Sequence, residues 1–207
     1  MTLEFAKNIA DPNRFARAFA AIDAANAEDP ETIEIDGGLH PKELTHAKML
    51  VDWIRRLEAK PSEELLLAAR GHHIQRWKRP RSSYPTDRRG YLRWRRDLHV
   101  FHAEQVGDIL RECGYSESSV QRVQQIVRKE KLRSDPEVQT LEDGLNLVFL
   151  QTQFDGFRER LGDDEKLVKI VQRTWGKMST RGQEAALALD LGEGALGIVS
   201  QALKETG

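Results

Sequence analysis

The chain has 207 residues, of which 39% are hydrophobic and 31% charged, and its formal net charge is −1. This length and composition predict one domain, or one domain with a helical extension, that can build its own core. We expect no membrane span, because no run of about eighteen apolar residues occurs, and no secretory leader at the N-terminus. The single cysteine, Cys113, excludes an internal disulfide and fits a reducing cytoplasm.

Helical signals begin close to the N-terminus. Asp11-Pro12 predicts a helix start, with an aspartate cap followed by proline at the first helical position. Residues 27–41 contain prolines and a Gly-Gly pair and predict a loop with one short extended piece. A second helix is predicted to begin near Pro41, and it would place Glu43 and His46 on one face, one turn apart.

The next two predicted helices flank a histidine doublet and an irregular loop. The run Pro61-Ser62-Glu63-Glu64 predicts a helix start, and residues 65–69, apolar on nearly every side, predict burial. This helix is expected to carry His72-His73 out of the core. Two prolines and two serines in residues 80–85 predict a loop, and a long helix is then expected from about Arg89 to Cys113, ended by the following glycine.

The remaining sequence also predicts helices. Ser116 is expected to cap one that reaches about Lys129, and Asp135-Pro136 to begin another that carries Glu142-Asp143 near its start. The segment after residue 162 predicts three short helices. The protein is therefore predicted to be all-α.

Charge is distributed unevenly along the chain. Residues 76–96 contain nine Lys or Arg residues against Asp87 alone, a local charge of +8, so the rest of the chain sums to −9. Such a segment can contact phosphates and stack on bases, and the alternative is a solvated basic face whose aromatic residues anchor it to the core. The aromatic residues interleaved with these charges are Trp77, Tyr84, Tyr91 and Trp94.

The histidines are concentrated in the first half of the chain. All six fall between His40 and His102, on several predicted helices, and Asp143 follows in a later one. Imidazoles from separate helices together with a carboxylate are typical ligands of a divalent metal, and they leave Zn, Mn, Fe and Ni open. For His46 and Asp143 the alternatives are an ordinary helix histidine and a helix cap, and His102 is equally compatible with a place in the core.

The order of these groups resembles the HD-domain superfamily of metal-dependent hydrolases. The members share a helical histidine, as at His46, a pair after small and apolar residues, as at His72-His73, and an aspartate on a late helix, as at Asp143. The stretch His102-Ala103-Glu104-Gln105-Val106 is similar to a further histidine that many members have at a long helix. The resemblance covers about residues 43–157. It implies an HD-domain-like helical bundle over residues 1–160, a C-terminal helical extension over 161–207 packed on it, and one divalent metal ion.

Two departures from the superfamily pattern bear on that metal. His73 stands where the superfamily has an aspartate, which removes one negative charge from the site and leaves open which residue of the doublet points inward. Residues 126–131 stand where some members place histidines for a second metal. Lys129 and Lys131 in that segment argue for one metal at most and for a lysine that faces an anion.

A more specific resemblance spans nearly the whole chain. It is to an HD-like family described only as a domain of unknown function and associated with glutamyl-queuosine, a tRNA modification; some members are fused to the enzyme that installs the glutamate. This resemblance implies removal of that glutamate from aspartate tRNA by metal- or base-assisted ester hydrolysis. The strings that carry it are His73-Ile74-Gln75-Arg76-Trp77, Pro80-Arg81, Tyr84-Pro85, Arg89-Gly90-Tyr91-Leu92, Trp94-Arg95, Gln139, Leu141-Glu142-Asp143, Phe149-Leu150 and Thr174-Trp175-Gly176-Lys177-Met178-Ser179.

These observations together give a set of expected roles. The expected catalytic residues are Glu43, His73, Lys129, Glu142 and Asp143. The expected metal ligands are His46, His72, His73 and Asp143. The expected contacts to tRNA, the expected partner, are Arg76, Trp77, Arg81, Tyr84, Arg89, Tyr91, Trp94, Arg95 and His102. The alternatives are an HD-type nucleotide phosphohydrolase and a degenerate HD fold that binds RNA without catalysis. The sequence leaves the oligomeric state open.

Overall fold

The structure, a computed structural model, describes residues 8–35 and 37–189, and in this part of the chain it is helical apart from one β-hairpin. The prediction of an all-α protein is therefore confirmed. None of the described helices has both the length and the apolar character needed to cross a bilayer. The elements in chain order are α1 (Pro12–Ala27), β1 (Thr32–Ile35), β2 (Gly38–Pro41), α2 (Lys42–Leu57), α3 (Glu63–Gly71), two short 3-10 turns (Arg76–Lys78 and Arg81–Ser83), α4 (Arg88–Glu112), α5 (Glu117–Val127), α6 (Pro136–Thr152), α7 (Phe154–Leu161), α8 (Asp164–Trp175) and α9 (Thr180–Leu187).

The predicted helix starts are confirmed, because each depends on local capping chemistry. Asp11 accepts hydrogen bonds from the backbone N–H groups of the first turn of α1, and Pro12 is its first residue. Ser62 and Ser116 cap α3 and α5 in the same way. Asp135 caps α6, which again begins with a proline. Side-chain oxygens at these positions satisfy N–H groups that have no partner within the helix.

The N-terminal loop contains a hairpin that the sequence analysis did not foresee. The prediction of a loop with one extended piece is wrong for β2, which pairs antiparallel with β1. Helix α2 follows the hairpin directly, and Pro41, the residue before α2, has no side chain that can cap it. Asp29 replaces it: its carboxylate accepts hydrogen bonds from Glu31 N at 3.0 Å and from Glu43 N at 2.9 Å. The hairpin therefore fixes the first turn of α2.

The main core is centred on α3. Leu65, Leu66 and Leu67 are each at most 2% exposed and contact residues of α1, α2, α4 and α5. Residues 65–69 are all buried, as their apolar run predicted. Helix α6 packs against α2 at close range, since a Cβ on Gly144 would lie 2.8 Å from Leu50 Cδ1. These contacts hold the ends of α2, α3, α4 and α6 around a common space.

A second apolar cluster joins α6 to the C-terminal helices. Phe154, Leu167, Val171 and Met178 form its centre together with Leu57 of α2. The predicted boundary at residue 160 falls inside α7, and residues of α8 and α9 pack with residues of α6 in this cluster. Two of the three helices predicted there, α8 and α9, are observed; residues 190–207 lie outside the described part.

Candidate active site

The described elements surround a partly open cavity of about 470 Å³ that is lined by polar and apolar side chains. It is bounded by α2, the end of α3, the first half of α4, the turn after α5, α6, and the turn between α8 and α9. Two sides of the cavity differ in chemistry. We call the side formed by Glu43, His46, His72, His73 and His102 the histidine wall, and the side formed by Arg95, Lys129, Glu142, Asn146 and Lys177 the cationic wall.

Helix α2 contributes the acid and the first histidine of the histidine wall. Glu43 and His46, one turn apart as predicted, are both buried and both line the cavity. Burial raises the pKa of the Glu43 carboxyl, against the opposing charge of Arg76, whose Nε lies 4.0 Å from Glu43 Oε1. Burial also lowers the pKa of His46, with the charge of Glu43 opposing the shift. Glu43 is thus a buried carboxyl with a pKa moved toward neutrality.

The histidine doublet follows directly after α3, and both of its rings reach the cavity. Their ring centroids are 4.4 Å apart. The expectation that the doublet leaves the core is wrong for His72, which is 5% exposed, whereas the side chain of His73 is 34% exposed. His73 Nδ1 lies 3.3 Å from Glu43 Oε2. Burial in this crowded site, followed for His73 by the charge of Arg76, holds the pKa of both imidazoles well below the ordinary value.

The backbone after the doublet is held in an unusual conformation. Gln75 has φ 51°, in the left-handed region that non-glycine residues seldom adopt. Its N–H donates to the side-chain oxygen of Asn26, a residue of α1 that is 1% exposed, at 3.0 Å. A buried side chain of α1 therefore fixes the turn that connects the doublet to Arg76.

His102 presents a defined tautomer to the cavity. Its Nδ1 lies 2.8 Å from the carbonyl oxygen of Ile74. Because a carbonyl only accepts, Nδ1 must carry the proton, and Nε2 is left as an acceptor. Burial first, and then the charge of Arg76, lowers the pKa of His102 to about 3, so the ring is neutral. His99, which also lines the cavity, makes the same kind of contact with the carbonyl of Arg128 at 3.2 Å.

Several polar atoms of the cavity are buried without a hydrogen-bond partner in the described structure. Buried polar groups nearly always have partners in folded proteins, so such a concentration marks a place built for a ligand. The atoms are Glu43 Oε2, His72 Nδ1, His102 Nε2 and Asn146 Nδ2.

On the cationic wall, Lys129 and Glu142 form a buried ion pair. Lys129 Nζ lies 2.6 Å from Glu142 Oε2, and the side chains are 15% and 8% exposed. Burial lowers the pKa of Lys129 despite its partner. For Glu142, burial raises the pKa, but the charge and hydrogen bond of Lys129 outweigh it and the net shift is downward. The predicted lysine that faces an anion is thus Lys129, and the anion is Glu142.

Asp143 lies elsewhere than expected. One residue along α6 from Glu142, it is outside the cavity lining and faces α9. Its carboxylate accepts hydrogen bonds from Ser179 N at 2.9 Å, Ser179 Oγ at 2.5 Å and Gln139 Nε2 at 3.0 Å. The expected convergence of Asp143 with His46 and the doublet is therefore wrong, because the helical rotation between residues 142 and 143 turns the two carboxylates to different sides.

The same geometry bears on the predicted metal ion. Among residues 8–35 and 37–189, no group of three or more His, Cys, Asp or Glu side chains is arranged to hold a metal. The lone pairs on His72 Nδ1 and His102 Nε2 are free, but the carboxylate expected to complete the set with His46 is bound to Ser179. The divalent ion stays a prediction, and we derive no chemical step from it.

The basic segment contributes to the cavity from one end. Arg76, Tyr91, Trp94 and Arg95 line it. The Arg76 guanidinium lies over the Trp94 ring, 5.0 Å from the centroid, and Trp94 Nε1 donates to the carbonyl of Arg79 at 2.9 Å. These contacts join the 3-10 turns to α4 and place the first arginine of the segment beside Glu43.

The other predicted substrate contacts lie outside the cavity. Arg81 donates to the carbonyl of Tyr84 at 2.9 Å, and the Tyr84 hydroxyl donates to Asp97 at 3.3 Å, so both support the loop. Arg89 is exposed and Trp77 half-buried, and neither lines the cavity. They remain candidates for a larger ligand on the outer surface.

Two residues of the cationic wall were not identified in the sequence. Asn146 follows Glu142 by one helical turn, a spacing that the sequence contained and that would have placed it on the same face. Lys177 follows α8 in a tail that gave no signal of proximity to the histidines, and only the packing of α9 on α6 brings it there.

The family of the chain is identified by comparison with known families. The profile of a family described as a domain of unknown function, DUF4202, matches residues 16–199. The chain belongs to this family. The match includes every residue of both walls. No curated protein and no solved structure matches the chain.

Proposed function

We propose that the protein is a hydrolase that removes glutamate from glutamyl-queuosine in aspartate tRNA by ester hydrolysis. The observation that supports this most is the cavity, whose lining combines a buried carboxyl with a raised pKa, unpartnered buried polar atoms and an excess of positive charge. The substrate comes from the sequence resemblance, and the cavity is compatible with it.

The charge of the cavity supports an anionic substrate. Its described lining has two carboxylates, Glu43 and Glu142, and neutral histidines. The cations outnumber the carboxylates by two, and a ligand with negative charge can balance that excess. The cations are Arg76, Arg95, Lys129 and Lys177.

Glu43 is the group best suited to act as general base. A base works best when its pKa approaches the operating pH, and the pKa of Glu43 is raised whereas that of His102, about 3, is far too low. Glu43 takes a proton from water, and the water oxygen adds to the ester carbonyl carbon. Arg76, 4.0 Å from Glu43, is placed to stabilise the negative oxygen that forms.

The second half of the reaction returns the proton. When the tetrahedral intermediate collapses, the bond between the carbonyl carbon and the ester oxygen breaks, and Glu43 gives its proton to the departing oxygen, which becomes a hydroxyl of the modified base. The products are glutamate and tRNA with an unesterified base, and the proton of the new carboxyl goes to solvent.

The outer surface supports a polynucleotide substrate. Arg88, Arg89, Arg93 and Arg96 are exposed along one end of α4, next to Tyr91, which is 42% exposed and lines the cavity entrance. Exposed arginines bind phosphates, and an exposed aromatic ring can stack on a base. This basic surface continues into the cavity through Trp94 and Arg95, so the backbone of an RNA loop and its modified base have adjoining places to bind.

The experiment is release of glutamate from glutamylated aspartate tRNA by the purified protein. Glu43→Gln is expected to lower kcat by about 10²–10⁴-fold, the usual contribution of a general base. Glu34→Gln, on the exposed face of the hairpin, is the matched control and is expected to retain full activity. No glutamate release by the unaltered protein would contradict the proposal.

The same preparations separate the two alternatives. Phosphate release from a panel of nucleotides, without glutamate release, would favour a phosphohydrolase. Tight tRNA binding without either product would favour an RNA-binding protein. Metal content measured before and after chelation, in the unaltered protein and in His46→Ala, tests the predicted ion independently of the base.

A further inference from the structure

On the cationic wall three cations share one carboxylate. Glu142 pairs with Lys129, and the charges of Lys177 and Arg95 also lower the pKa of Glu142, whereas Arg76 lies beside Glu43. Arg95 from α4 and Lys177 from the turn before α9 make no ion pair with any described residue. The reaction proposed above uses neither of them. A half-buried cation and an exposed cation that line the same cavity can attract an anionic ligand.

The backbone that presents Lys129 indicates that this arrangement is specific. Lys129 has φ 57°, a left-handed conformation that costs a non-glycine residue about 1–2 kcal/mol. Glycine is the usual residue at such a helix end. Here the turn directs a lysine side chain into the cavity, where only 15% of it is exposed. Strain of this kind is common where a side chain must be held for binding.

A set of hydrogen bonds around Asp143 holds the turn that carries Lys177. Asp143 accepts from Ser179 N and Oγ, and Gln139 Nε2 donates both to Asp143 and, at 2.8 Å, to the carbonyl oxygen of Lys177. The close contact between α6 and α9 requires glycine at position 182, since a Cβ there would lie 2.6 Å from Asp143 Cγ. The backbone of residues 177–179 is thus fixed to α6, the helix that also carries Glu142 and Asn146.

We propose that Arg95 and Lys177, beside the Lys129–Glu142 pair, form a subsite for the free carboxylate of the glutamyl group, and that Asp143 positions Lys177 for this contact. The subsite rests on the proposed function for the identity of its ligand. Asn146 Nδ2, buried and unpartnered on the same face of α6, supplies a further donor. Asp143 is therefore a positioning residue, and its carboxylate takes no part in the reaction.

An amino-acid group fits this subsite better than a phosphate. A glutamyl ester keeps one carboxylate and one ammonium group, and the wall offers two unpaired cations with the carboxylate of Glu142 close by. A phosphate would bring up to two negative charges close to Glu142 and no ammonium group to offset them.

The test is direct binding of small ligands, which needs no hydrolysis. Titration of the purified full chain with L-glutamate, L-glutamine and inorganic phosphate, followed by NMR or calorimetry, measures each Kd. L-glutamate is expected to bind about tenfold or more tightly than L-glutamine, because only its side chain carries the charge. Lys177→Met is expected to raise the Kd for L-glutamate about tenfold or more, and Lys177→Arg is expected to retain most of the affinity. Lys169→Met, exposed on α8 and outside the cavity, is the matched control.

Other outcomes would overturn the subsite. Equal affinity for glutamate and glutamine, unchanged affinity in Lys177→Met, or binding of phosphate but not glutamate each contradict it. Glutamate binding as expected without release of glutamate from tRNA would reject the proposed hydrolysis and leave the subsite supported.

The positioning role of Asp143 has its own measurement. Asp143→Asn is expected to raise the Kd for glutamate, and the KM for glutamylated tRNA, by about tenfold while kcat changes little. A fall in kcat at unchanged KM and Kd would show that Asp143 acts in the reaction and would contradict the positioning role. Lys177→Met tests the subsite separately if Asp143→Asn does not fold.

Discussion

The two walls of the cavity differ in the charge of their ionisable groups. On the histidine wall the ionisable groups are kept neutral or close to neutral by burial, and acceptor atoms such as His102 Nε2 and Glu43 Oε2 are left without partners. On the cationic wall the charges persist, and Lys129 is paired and held by a strained turn. Under the proposed function, the histidine wall exchanges a proton and the cationic wall holds a charge.

The largest effect is expected from removing one partner of the buried pair. Glu142→Gln leaves Lys129 buried without a counter-charge and is expected to lower the free energy of unfolding by about 3 kcal/mol. Urea unfolding measures this. Combining it with Lys129→Met should recover most of the loss, and Glu104→Gln, exposed on α4, is the control. If single and double variants are equally unstable, the pair is not the cause.

Acid is expected to lower the free energy of unfolding through the histidine wall. Burial lowers the pKa of His102 to about 3, against about 6.5 in the unfolded chain, so the unfolded chain takes up the proton first as the pH falls. The contribution of His102 to the free energy of unfolding is therefore complete above pH 6.5, and it is lost as the pH falls from 6.5 to about 3. The loss is up to about 1.4 kcal/mol per pH unit, or about 2 kcal/mol at pH 5.

The measurement is urea unfolding between pH 7 and pH 4 with chelator present. His102→Asn keeps a side-chain donor for the Ile74 carbonyl but does not titrate. The free energy of unfolding of this variant should therefore change less with pH. Arg76, His99 and His73 lie close to His102 and are unchanged in this comparison. Equal slopes in the two proteins would show that other groups carry the acid sensitivity.

A smaller effect is expected at the contact between α6 and α9. Gly182→Ala places a methyl group against Asp143 and is expected to cost about 1–2 kcal/mol as α9 shifts away. Because the shift moves Lys177 and leaves Glu43 in place, KM for the tRNA should rise more than kcat falls. Gly176→Ala, whose Cβ would lie 3.5 Å from the carbonyl oxygen of Gln172, an ordinary contact distance, is the control. A fall in kcat alone would contradict the separation of the walls.

The smallest effect concerns the turn after α5. Lys131 is exposed and also left-handed, with φ 59°. Lys131→Gly relieves that strain at some cost in chain entropy, so we expect stability to rise by less than about 1 kcal/mol, with glutamate affinity unchanged. Thermal unfolding and ligand titration check the two parts. A loss of affinity would mean that Lys131 also serves the cationic wall.

The parts of the fold that the sequence predicted correctly are those governed by local chemistry. Asp11, Ser62, Ser116 and Asp135 each begin a helix because a side-chain oxygen satisfies nearby N–H groups, which depends on a few neighbouring residues. The strand β2 could not be found in this way, because its pairing with β1 and the capping of α2 by Asp29 are contacts between separate segments.

The sequence predicted only part of the site. The order of His46 and the doublet, which resembles that of the HD-domain superfamily, predicts that they share one site, whereas His102 is equally compatible with the core. Choosing between Glu142 and Asp143 required the rotation of α6, which only its packing against α2 and α9 determines. Lys177 depends on that same packing and carried no local signal at all.

The stacking of Arg76 on Trp94 connects the outside of the protein to Glu43. One guanidinium touches the indole ring, at the inner edge of the basic surface, and lies 4.0 Å from the buried carboxylate. Under the proposed function, a nucleotide that moves the guanidinium together with the indole ring changes the electrostatic potential at that carboxylate. Thermodynamic linkage then requires that a ligand in the cavity changes the affinity for the tRNA by the same factor.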